Sequence, residues 1–72
     1  MNADTLAATL IMLRFKKLSP KYNVFTSKNI EIHMYSKTRI LIGPRNKHSY
    51  TYNWKIHNNI VKDILDYEKK NQ

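Results

Sequence analysis

The sequence predicts an α+β fold: one small α-β-β-β-α domain over residues 1–72, with two helices packed on one face of an antiparallel three-stranded sheet, or a four-stranded one. Three observations predict it. Apolar residues recur at helical spacing near both termini. Between Tyr22 and Trp54 the apolar period drops to two. And 72 residues without an internal repeat or linker leave room for a single core.

The first helix is read from "NADTLAATLIMLRFKK", about four turns long. Asn2 or Asp4 caps it, and Arg14, Lys16 and Lys17 complement its C-terminal carbonyls. Leu6, Leu10 and Leu13 form its stripe, widened by Ala7 and Ile11, and Pro20 ends the segment. "YNVFTS" is a weak strand with the character of an edge. "NIEIHMYS" alternates cleanly, placing Ile30, Ile32 and Met34 opposite Glu31, His33 and Tyr35. "RILIG" follows so closely that Ser36 and Lys37 are expected to make a tight turn. After the loop "GPRNKH" comes a strand "SYTYN", and "NWKIHNNIVKDILDYEKK" closes the chain as a helix. Its stripe is Ile56, Ile60, Val61, Ile64 and Leu65, with Lys62, Asp66 and Lys70 at i,i+4 spacing on the wet side.

Thirteen Lys and Arg against five Asp and Glu give a formal charge of +8. A field of that size on so small a body favours polyanions: RNA first, with DNA as an alternative. Ten lysines to three arginines suits shape-tolerant attachment to phosphates better than base reading. There is no cysteine, which excludes disulfides and thiolate metal sites, and the three histidines have no zinc-like spacing. No metal or cofactor is expected. A domain this small is marginal alone, so self-association as a homodimer is expected. "LAATLIML" is too short to cross a bilayer and lacks a basic leader, so no membrane role and a cytoplasmic location are expected. Abundant Lys, Asn, Ile and Tyr use AT-rich codons, which points to an AT-rich bacterial or phage source.

The candidate nucleic-acid-binding residues are Lys16, Lys17, Lys21, Lys37, Arg39, Arg45, Lys47, His48 and Lys55. The face not covered by helices carries His33, Tyr35, Arg39, Leu41, Thr51 and Glu31, and His33 and Tyr35 there offer a stacking or dimer face. Tyr50, Tyr52 and Trp54 alternate like a single-strand stacking platform. A small core needs large side chains, however, and Trp54 is expected to be seated in it.

Two resemblances bear on activity. The element order resembles that of the double-stranded-RNA-binding domain. "GPRNKH" is similar to that family's Gly-Pro-x-x-x-His loop, and Lys55 stands at the basic start of the last helix. The family's loop joins its first two strands, whereas here it joins the last two. The resemblance implies sequence-tolerant binding of RNA backbone. "LIGPRNKHSY" resembles the Gly-Ser-His context of the HicA mRNA interferases, with His48 as general acid or base beside Arg45, Lys47 and Tyr50. The glycine and histidine are separated here and no second acid is near, so no catalytic residue is assigned and the chain reads as a non-enzyme. The second reading is a phage-type inhibitor of a host defence nuclease or toxin, acting alone or with RNA. It is motivated by the surplus apolar surface of Leu10, Ile11, Met12, Leu13 and Phe15.

Overall fold

The structure, a computed structural model, describes residues 1–18, 23–45 and 52–72. Its elements are α1 (Ala3–Met12), β1 (Lys16–Lys17), β2 (Val24–Thr26), β3 (Ile30–Met34), β4 (Arg39–Pro44), β5 (Tyr52–Lys55) and α2 (Ile60–Lys70). All five strands join one antiparallel meander in the order β1-β2-β3-β4-β5. The α+β class and the antiparallel sheet agree with the sequence reading. The strand count does not, and the surplus arises at the end of the first helix.

α1 starts where Asn2 caps it, its side-chain oxygen accepting from the Thr5 amide at 2.9 Å. It ends after ten residues, not sixteen. The Arg14 amide donates to the Ile11 carbonyl and the Phe15 amide to that of Leu10, with Arg14 at φ 69°. This is a Schellman stop, with the left-handed position filled by arginine and the accompanying apolar contact supplied by Phe15 and Leu10, both buried. The chain then runs extended, so Lys16 and Lys17 pair with Thr26 and Phe25 instead of neutralising helix carbonyls. β2 is consequently internal, not an edge.

The period-two alternation of β3 sets the two faces. Ile30, Ile32 and Met34 are buried with Phe25, Ile40 and Ile42, and Leu6, Leu10, Ile60 and Ile64 of the helices cover them. Phe15 and Ile56 close the ends of this core. Leu13, expected in the stripe, is 39% exposed because the helix has already ended, and Leu65 is 37% exposed. The β3–β4 turn is longer than two residues: the Ser36 hydroxyl accepts the amides of Thr38 and Arg39, so the strand resumes only at Arg39. Gly43 and Pro44 lie within β4, not in a loop.

α2 begins later than the sequence suggests, and Ile56 precedes it. The His57 ring closes its start, Nδ1 accepting from the Asn59 amide at 3.1 Å and Nε2 donating to Asp63 at 2.9 Å. The i,i+4 pairs expected of Lys62, Asp66 and Lys70 are not among the ion pairs of the described residues. Tyr52 and Trp54 share the helix side of β5, where their rings meet Tyr67 at 5.7 and 5.8 Å between centroids. Trp54 packs against the core as expected, and these aromatics buttress α2 in place of forming an open platform. Tyr50 and Thr51 lie outside the described residues.

Candidate nucleic-acid interface

At the end of the sheet where β2 turns into β3, four separate segments bring cations to one place. Arg14 comes from the stop of α1, Lys16 from β1, Lys28 from the β2–β3 turn and Arg45 from the end of β4. Together with Thr26 and Ser27 they line a concavity of about 270 Å³. No carboxylate is among the described residues lining it. Four cationic side chains lining one concavity suit an oxyanion with several acceptor atoms.

The walls are held by a network below them. Arg45 donates from Nη1 to the Ser27 carbonyl at 3.0 Å, and its amide donates to the Asn29 carbonyl at 2.9 Å, which fixes the guanidinium stem to the turn. The turn is gripped from α2 by Glu68, whose carboxylate accepts from the Ser27 hydroxyl and, at 2.8 Å, from the Asn29 amide nitrogen. The Ser27 oxygen also accepts the amides of Asn29 and Ile30, so this hydroxyl is committed to structure. Glu68 lines the neighbouring concavity with Asn29, Gln72 and Lys28, and Lys28 lines both. Replacing Glu68 by alanine is expected to cost about 1–3 kcal/mol, the loss of two hydrogen bonds to a charged acceptor. Urea denaturation measures that cost, and a midpoint unchanged from the parent protein would refute the grip.

A second basic group occupies the opposite end of the strands. Arg39 and Lys55 are direct cross-strand partners on the face away from the helices, and Lys37 lies in the adjoining turn. Like charges in register destabilise a ladder pair, here relieved by Asn53, which accepts from Arg39 Nη1 at 3.3 Å. Between the two ends this outer face carries Glu31 and His33, 3.5 Å apart, with Val24, Leu41 and Gly43.

The predicted residues therefore divide. Lys16 and Arg45 meet in the concavity, while Lys37, Arg39 and Lys55 form the distant group. Lys17 pairs with Phe25 on the edge strand, and Lys21, Lys47 and His48 lie outside the described residues. His33 is half-buried beside Glu31 in the middle of the outer face, and Tyr35 is exposed just beyond β3. Sequence reasoning missed Arg14 and Lys28. Only for Lys28 was there a signal, the turn-like "TSKN" between two strands; nothing local marks Arg14 as leaving the helix.

Comparison with family models, with curated proteins and with solved structures returns no match. No helix among the described residues is long and apolar enough to cross a membrane.

Proposed function

We propose that this chain is a small, non-enzymatic, cytoplasmic RNA-binding protein that captures the phosphate backbone electrostatically and with little sequence preference. The observation that carries the reading is the concavity of Arg14, Lys16, Lys28 and Arg45, with no carboxylate among its described lining residues, on a chain of charge +8. The second group, Lys37, Arg39 and Lys55, gives a strand another place to rest a phosphate. Self-association as a homodimer belongs to the same reading, since it adds the stability that a small cysteine-free core lacks and doubles the cationic surface. DNA offers the same phosphates and is the natural comparison ligand.

The test is filter binding of a single-stranded oligoribonucleotide across a salt series. Neutralising about seven phosphates of a single strand releases their counterions, so affinity is expected to fall roughly a thousandfold between about 50 and 200 mM salt. Arg45→Gln is expected to lower the slope by about one ion without changing sequence preference. No binding at low salt, or binding indifferent to salt, would sink the reading.

A second reading has its own observation. Ile11 and Met12, 56% and 83% exposed, and the exposed Leu13 and Leu18 flank Arg14, Lys16 and Lys17 in sequence. An apolar patch rimmed by cations fits an acidic protein surface, as a phage-type inhibitor of a host defence nuclease or toxin would require. Recovery of a protein target in place of nucleic acid on purification from the host would favour it.

A further inference from the structure

The nucleic-acid reading leaves open which part of a strand the concavity receives, and its geometry is unlike a track for continuous backbone. A track needs cations spaced in a row. Here Arg14, Lys16, Lys28 and Arg45 converge from four chain segments on one volume of about 270 Å³. Among the described residues, the next cations of the outer face, Arg39 and Lys55, lie at the other end of the strands. Arg45 lies six residue steps along the chain from Arg39, roughly 20 Å at the usual strand rise. The described residues between them on that face include His33, Leu41 and Asn53 at the middle level and Glu31 and Gly43 nearer the concavity, Glu31 standing opposite Thr26 of its lining. Among the described residues, a strand crossing there meets no row of positive charge.

Charge count points the same way. A backbone phosphodiester brings one negative charge and two free oxygens. A phosphomonoester brings about −1.5 to −2 at neutral pH and three strong acceptor oxygens. Four convergent cations are better matched by the second. The site also gives up something to hold its first cation. Arg14 occupies a left-handed backbone position, φ 69°, that glycine fills without steric penalty, and that conformation turns the chain out of α1 at the concavity's rim. A fold selected for stability alone has no use for arginine there.

From this convergence we infer that the concavity is a subsite for a terminal phosphate, a phosphomonoester at the end of a nucleic-acid strand. The inference rests on the nucleic-acid reading above and narrows it. The strand end is held by the four cations, and the body of the strand passes over the outer face toward Arg39 and Lys55.

Fluorescence anisotropy with one oligoribonucleotide sequence in three forms tests it: 5′-phosphorylated, 3′-phosphorylated and with both ends as hydroxyls. At least one phosphorylated form is expected to bind about tenfold tighter than the hydroxyl form, the worth of one added charge-assisted hydrogen bond. Lys28→Gln is expected to shrink that preference. Lys55→Gln is expected to weaken all forms equally and leave the preference intact. Equal affinity for the three forms would overturn the terminal-phosphate subsite while leaving backbone capture standing; absence of any binding at low salt would remove the nucleic-acid reading itself. A phosphoserine peptide that binds as tightly as the phosphorylated strand would assign the site to another class of macromolecule, and would likewise overturn the inference.

Discussion

Alanine at position 25 is expected to leave much of the protein unfolded at room temperature. Phe25 is fully buried at the centre of β2, between Lys17 of β1 and Ile32 of β3, and belongs to the core that Leu6, Leu10, Ile60 and Ile64 cover. Truncating a buried phenylalanine costs about 3–5 kcal/mol, the transfer term plus the cavity left behind. A domain of this length has roughly 4–11 kcal/mol in total, and small ones sit toward the low end. There is no disulfide to hold the remainder together. Far-UV circular dichroism during a urea titration reads the outcome directly. A Phe25→Ala protein with the parent midpoint would mean that the sheet's helix-covered face is not the core.

Glycine at position 14 is expected to move stability and binding in opposite directions. Removing the side chain relieves the left-handed strain of Arg14, worth roughly 1–2 kcal/mol. Glycine's freer unfolded chain returns about 0.4–1 of that, leaving a net gain near 1 kcal/mol. In a domain this size such a gain raises the melting temperature by about 4–8 °C. The same change takes one of four cations from the concavity and is expected to weaken RNA affinity about tenfold at low salt. Arg14→Lys keeps both charge and strain, and so should shift neither quantity as far. A glycine variant that melts higher and binds as well as the parent would place Arg14 outside the interface.

Where the sequence was legible, a single physical signal dominated. The alternation of Ile30, Ile32 and Met34 survives into the structure because one face of β3 meets two helices, and nothing local competes with it. The stripe through Ile60 and Ile64 is likewise a burial signal. β1 has no such signal: both its residues are exposed lysines, and pairing with Thr26 and Phe25 alone makes it a strand. α1 was read too long because apolar residues continue through Leu13 and Phe15 and no glycine marks the stop. The turn is forced instead by Phe15 reaching back to bury itself near Leu10. The concavity was half-visible for a related reason. Lys16 and Arg45 were named for their charge, but their meeting with Arg14 and Lys28 depends on that early stop and on the β2–β3 register, which no window of neighbouring residues contains.

The unbroken strand order also bears on how the molecule comes into being. Each strand pairs with the one made just before it, so most contacts of the sheet are short loops in the chain, the arrangement that favours rapid folding. All four converging cations lie between residues 14 and 45, whereas Glu68 reaches back 39 and 41 residues to Asn29 and Ser27. In order of synthesis all four cations therefore precede Glu68, which holds the turn that carries Lys28. Through Glu68 the last helix of the chain thus fastens a sheet end whose own pairings are all local in sequence.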